Sequence, residues 1–162
     1  MTEHLRPTQM DDPYDLQRFL DAQDSIDPPL RATERGQGVR SGQVQGELRS
    51  GRKATHWMWF VFPQIAGLGY SSMAKRYAIG SRAEAAAYAD HPVLGARLRE
   101  STALVNALEG HTVSSIFGSP DDLKFHSSMT LFSLCATDPR VFQDALDKYF
   151  NGEADPMTVA RL

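Results

Sequence analysis

The sequence predicts a mainly α-helical chain folded as a single compact multi-helix domain, and three observations carry that expectation. Helix-start signals recur from residue 71 onward. Only Trp57 to Phe62 has the composition of a strand, and with no second strand or βαβ alternation it has no sheet to join. That same stretch, His56-Trp57-Met58-Trp59-Phe60-Val61-Phe62-Pro63-Gln64, carries both tryptophans in a run apolar enough to demand burial. It is therefore read as a buried helix or an extended segment in the core.

Size and composition fit this class. The 162 residues make one domain, and such a chain buries roughly 70% of its unfolded surface, enough for a core without a disulfide or metal staple. The formal net charge of −3 argues against general affinity for nucleic acid or an anionic membrane, which normally needs a basic surplus. Cys135 is the only cysteine and has no partner for an internal disulfide, which fits a reducing cytoplasm. No apolar h-region opens the chain and no run approaches a membrane span. The five histidines are scattered without the Cys/His spacing of a zinc site, so no metal or cofactor is expected.

Taken in order, residues 1–13 read as a loose tail. Tyr14 to Gln23 places Leu16, Phe19 and Leu20 at helical spacing. Within 24–46, Pro28-Pro29 breaks a helix and Gly36, Gly38, Gly42 and Gly46 weaken one, so an irregular segment, disordered or a flap, is expected. Glu47 to Gly51 resembles a helix end with Gly51 past the last turn. Ser81 and Glu84 form a capping box before Ala85-Ala86-Ala87. Four pairs follow: His91-Pro92, Ser119-Pro120, Asp138-Pro139 and Asp155-Pro156. Each sets a side-chain acceptor at the cap and Pro at the first helical position, His91 being the weakest acceptor. They predict helices over about 92–109, 120–136, 139–150 and from about 156. No internal repeat or low-complexity tract interrupts this order.

Three groups of residues carry candidate chemistry. The first is His56, Trp57, Trp59 and Gln64: an aromatic wall stacks a planar ring such as a nucleobase, and His or Gln at its edge hydrogen-bonds that ring. The alternative is that the aromatics form the core and the polar ends satisfy buried groups. The second is Gly67-Leu68-Gly69-Tyr70-Ser71-Ser72, where Gly69 and Ser71 offer backbone N–H groups to an anion such as phosphate, with Lys75 and Arg76 a turn further on. The alternative is a tight turn with Ser71 as N-cap, and no Gly-Lys-Ser/Thr follows to make a P-loop. The third lies on the helix after Pro120. Phe125, Met129, Phe132 and Ala136 fall on one stripe, and Asp121, Lys124 and Ser128 on a second stripe beside it at the core boundary. Asp121 and Lys124 serve either as a polarised acid/base pair or as a boundary ion pair. His126 lies away from that stripe. Cys135 reads as a packed thiol, and Asp144 and Asp147 as a solvated face. There is no nucleophile elbow, HExxH or dinucleotide fingerprint.

The words His-Trp-Met-Trp-Phe-Val-Phe-Pro-Gln, Gly-Leu-Gly-Tyr-Ser, His-Pro-Val-Leu-Gly-Ala-Arg-Leu, Ile-Phe-Gly and Asp-Leu-Lys-Phe-His-Ser-Ser-Met-Thr-Leu-Phe occur in this order from about Leu48 to Thr158. Together they closely resemble the bacterial family known as domain of unknown function 1810. Its occasional label of calpastatin has no support here, since nothing resembles the repetitive, disordered chain of a calpain inhibitor. The resemblance implies a small, mainly α-helical cytoplasmic protein with no established activity. This sequence departs from the family in 24–46, where members carry an Ala/Leu/Tyr-containing helix. A more distant set of words, Asp121-x-x-Lys124-x-x-x-Ser128-Met129-x-Leu131-Phe132 and His91-Pro92-x-Leu94-Gly95-x-Arg97, resembles the YbiA-like, NAD- and ADP-ribose-associated superfamily, which is linked to N-glycosidic chemistry on ribosylated bases.

Two functions are weighed on these residues. In one, the chain binds or hydrolyses a nucleotide- or ADP-ribose-like ligand. Trp57 or Trp59 stacks the base, His56 and Gln64 orient it, and Gly69, Ser71, Lys124 and Ser128 hold phosphate or ribose. Asp121 is the acid/base facing the developing charge of the sugar. In the other, the chain is a helical interaction module without catalysis. The first requires the ends of the tryptophan run and the Asp121/Lys124 edge to share a cavity. The sequence is silent on oligomeric state.

Overall fold

The structure, a computed structural model, describes residues 12–26 and 42–162. The expected loose tail over 1–13 falls almost wholly outside these residues. Among them ten helices follow one another: α1 Gln17–Ile26, α2 Gln43–Ser50, α3 Met58–Val61, α4 Ser72–Arg76, α5 Arg82–Asp90, α6 Leu94–Asn106, α7 Val113–Phe117, α8 Asp121–Cys135, α9 Arg140–Phe150 and α10 Pro156–Ala160. No strand forms among the described residues; one isolated parallel bridge joins Ile65 to Ile79. The domain is thus mainly α, with the aromatic run folded as a short helix in the core.

Helix α8 is the axis of the fold. Ser127 to Phe132 are six consecutive buried residues, more than a full turn, so the helix is covered on every side. Helices α5, α7, α9 and α10 pack around it, and α6 packs against α2, α5 and α9. Gly95 makes the α5–α6 approach possible, because a Cβ there would stand 2.1 Å from the Ala89 carbonyl oxygen. Ser128, placed by the sequence at the core boundary, is completely buried, since a helix enclosed on all sides has no boundary stripe at that level.

The helix ends refine the cap readings. Ser71 and Asp155 accept N–H bonds from Ala74 and Thr158 as N-caps, with Pro156 opening α10. Ser81 accepts from Glu84 N–H, but the Glu84 carboxylate turns to the Gly80 N–H and to Arg18 instead of closing a capping box. His91 Nδ1 accepts from both Val93 and Leu94 N–H at 3.1 Å. In contrast, Pro120 and Pro139 are themselves the N-cap residues of α8 and α9, and neither Ser119 nor Asp138 caps a helix. Both described ends of the 24–46 segment are helical, against the irregular segment expected there. Residues 24–26 finish α1 and 43–46 begin α2, while 27–41 lie outside the described residues. Gly42 and Gly51 bracket α2 at φ 79°, a left-handed conformation that glycine adopts without strain.

What fixes the tryptophan run is Glu47 on α2. Trp57 has no exposed surface, and its indole N–H donates to Glu47 Oε1 at 2.9 Å. The same carboxylate accepts from the Ala54 N–H, the Thr55 N–H, the Thr55 hydroxyl and the Gln43 amide. Burial alone would raise the Glu47 pKa, but these bonds favour the charged form more strongly and hold it at about 2, against an ordinary 4.5. Phe62, also buried, meets Phe125 of α8 edge-on at 5.1 Å and Phe117 of α7 at 5.9 Å, and so seats the run on the axis helix.

Replacing Glu47 by Leu orphans the buried Trp57 N–H and the Ala54 and Thr55 amides, and is expected to cost about 3 kcal/mol or more in urea unfolding; E47Q, which keeps one acceptor oxygen, costs less. Because the folded pKa of Glu47 lies below its unfolded value, its contribution is complete above pH 4.5 and is lost as pH falls toward 2. Acid titration of stability in the wild type and E47Q checks this, the variant showing the shallower loss.

Candidate ligand-binding site

A chain of charged contacts runs from the tryptophan helix to the start of α8. The Lys53 ammonium, with a side chain only 7% exposed, stands 5.1 Å from the centre of the Trp57 ring and 2.9 Å from Asp121 Oδ2. Asp121 Oδ1 pairs at 3.4 Å with Lys124, whose ammonium lies 4.8 Å from the centre of the Trp59 ring. One carboxylate is therefore shared between two ammonium groups, and the half-buried Lys124 holds the longer contact.

Lys124 opens onto a cleft of about 300 Å³. Leu68, Pro120, Leu123 and Met157 give it apolar walls, and Gln64, Lys124, His126, Ser127 and Asp155 give it polar ones, with Gly69 at one edge. Gly69 leaves room there: a Cβ would come within 2.6 Å of the Ala74 methyl. Across Gln64 and Lys124 lies a void of about 10 Å³ lined by Trp59, Phe62, Ala74 and Tyr77, room for one water at most.

Asp155 and His126 are tightly held in the cleft. Asp155 Oδ2 accepts from the Ser127 hydroxyl, the Thr158 hydroxyl and the Thr158 N–H, and the Asp155 N–H donates to Thr130 Oγ1. Its Oδ1 has no hydrogen-bond partner among the described residues. His126 stacks on Phe150, with centroids 3.9 Å apart and planes 6° from parallel, and its Nε2 lies 2.8 Å from the Glu153 carbonyl oxygen. Such an arrangement, apolar walls around a few oriented polar groups, suits a small amphipathic molecule with an anionic group.

The sequence-derived residues divide sharply. Gln64, Gly69 and Lys124 line the cleft together. Asp121 lies within reach of Lys124 but lines neither void, and its two oxygens are engaged by Lys53 and Lys124. Its contact with Lys124 holds that ammonium at the cleft wall. Trp57 is sealed in the core and cannot stack a ligand. Trp59 carries the Lys124 ammonium on one face and borders only the small void. His56 is exposed and lines no void described here. Ser71 is spent as the α4 cap, and the Ser128 hydroxyl is buried without a hydrogen-bond partner, away from the cleft lining. Sequence reasoning passed over Asp155, read only as a helix cap, and His126, set aside by its position on α8. The signal that unites them is the packing of residues 153–158 against α8, which no local pattern reveals.

Among the described residues no three His, Cys, Asp or Glu side chains group to hold a metal ion, and no helix is long and apolar enough to cross a membrane. Burial raises the Cys135 thiol pKa, partly offset by Arg82, as befits a packed thiol.

Fold and cleft thus define a small helical protein with an amphipathic, cation-bearing cavity. The chain belongs to the family described as protein of unknown function DUF1810, whose model matches residues 13–162. That span extends past both ends of the stretch that carries the sequence resemblance and includes 24–46. The conserved hypothetical protein Rv1873 from Mycobacterium tuberculosis has a similar crystal structure, 48% identical, covering 93% of this chain and 98% of that one, with a TM-score of 0.80. No curated protein matches the chain.

Asp121→Ala removes the counter-charge of the nearly buried Lys53 and is expected to cost about 3 kcal/mol, whereas Lys124→Ala at the cleft mouth costs about 1 kcal/mol or less. Chemical denaturation of the two variants reads the difference.

Proposed function

We propose that this protein binds a small nucleotide-like molecule in the cleft beside α8. The single observation that carries the reading is Lys124: an ammonium held at a cavity wall by a carboxylate it shares with Lys53, beside the Gln64 amide and four apolar side chains. Two cations on one carboxylate leave attraction for an incoming anion, and a phosphate suits that position. Leu68, Pro120, Leu123 and Met157 accept the flat apolar face of a base, a role the tryptophans do not fill. N-glycosidic hydrolysis is not part of this reading, because the carboxylate first assigned to it, Asp121, is engaged by two lysines. A cytoplasmic setting accompanies the proposal, on the strength of one unpaired cysteine.

A second reading has its own support. Leu123 is 64% exposed and Met157 59%, and both line the cleft, as on a surface that receives a protein partner. A thermal-shift screen against ADP-ribose, NAD and nucleoside phosphates separates the two. The cleft reading expects stabilisation of roughly 2–3 kcal/mol at a hundredfold excess of ligand over Kd. It further expects K124M to keep the fold and lose the shift. No shift with any of these compounds overturns it and leaves the interaction-module reading.

A further inference from the structure

Two chemically different sets of polar groups line the cleft. One set donates, the Lys124 ammonium and the Gln64 amide. The other accepts. Asp155 Oδ1 has no protein partner among the described residues, while Oδ2 is fixed by Ser127 and Thr158. The Glu153 carbonyl can only accept, so His126 Nε2 carries the hydrogen of that bond. In the neutral imidazole the lone pair is then on Nδ1, which has no protein partner among the described residues. Stacking on Phe150 holds the ring in place. Lys124 and Ser127, which donates to Asp155, are three residues apart on α8, about 4.5 Å along its axis.

We propose that Asp155 and His126 form a hydroxyl-reading subsite, and that the cleft selects a sugar phosphate with free ring hydroxyls over its deoxy counterpart. The inference rests on the nucleotide reading above and adds the orientation: phosphate toward Lys124 and Gln64, ring hydroxyls toward Asp155 Oδ1 and His126 Nδ1. A carboxylate bound on one oxygen by three donors and open on the other is an acceptor for O–H. A hydroxyl lost from the ligand leaves that charge unpaired, so discrimination comes chiefly from the penalty on the deoxy form.

Isothermal titration of the full chain with ADP, 2′-deoxy-ADP and 3′-deoxy-ADP tests it. The ribose form should bind about tenfold or more tightly than at least one deoxy form, the size expected for a hydrogen bond to a charged group. D155N, whose side-chain oxygen still caps Thr158, should narrow that gap while leaving affinity for the deoxy forms within about twofold. H126F keeps the stack on Phe150, removes both ring nitrogens, and should narrow the gap as well. Equal affinity for all three nucleotides overturns the subsite while the nucleotide reading stands. A gap unchanged in both variants also overturns it, since the hydroxyls would then be read elsewhere. Failure of every nucleotide to bind overturns both readings together.

Discussion

The indole N–H of Trp57 must be paired, because the ring is cut off from water, and Glu47 is the group that pairs it. Much of the molecule follows from this one bond. It draws α2 to the tryptophan helix and turns the loop between them, whose two amides share the carboxylate. It leaves the outer face of the indole for the Lys53 ammonium. Lys53 then needs an anion, and Asp121 at the first turn of α8 supplies it. A buried ring in the first half of the chain thereby fixes where the central helix begins.

The cleft inherits its character from that relay. Lys124 is not a solvated surface lysine: Asp121 and the Trp59 ring hold it against the cleft wall. Charge is thus conveyed from the core to the cavity through alternating cations and anions, each correctly opposed. The other wall has an independent origin, in the return of residues 153–158 against α8, where hydroxyls of Ser127, Thr130 and Thr158 bind Asp155. These are among the few buried polar side chains of the axis helix and its partner, and their pairing offsets their burial, while the Ser128 hydroxyl beside them stays unpaired.

The fold class was legible because helix punctuation is local. The starts of α4, α5, α8, α9 and α10 follow from serines, acids and prolines read a few residues at a time. The details that failed were contests for the same polar group. Glu84 was expected to close its own capping box, but Arg18 and Gly80 claim it. Pro120 and Pro139 displaced Ser119 and Asp138 from the cap position. At the cleft, Gln64 could be found because a polar residue closes a dense apolar word, Gly69 because a glycine pair precedes a helix start, and Lys124 because it shares a helical stripe with Asp121. Glu47 and Asp155 could not, since the contacts that matter reach Trp57, ten positions on, and Ser127, twenty-eight positions back, while each residue looks locally like an ordinary helix end.

Arg18 shows how firmly the amino-terminal helix is sewn down. Its guanidinium directs all five N–H groups at protein acceptors: the carbonyls of Tyr14, Asp15, Arg76 and Ala78, and the Glu84 carboxylate. One turn on, Gln23 donates to the Phe60 carbonyl and the Tyr88 hydroxyl inside the core, and Asp12 closes the helix start by accepting from the Leu16 and Gln17 amides. A shortened version of this protein therefore has to retain Asp12 and everything after it through Ile26. Trimming further would open the centre of the molecule to solvent from a helix that, viewed from outside, resembles a removable appendage.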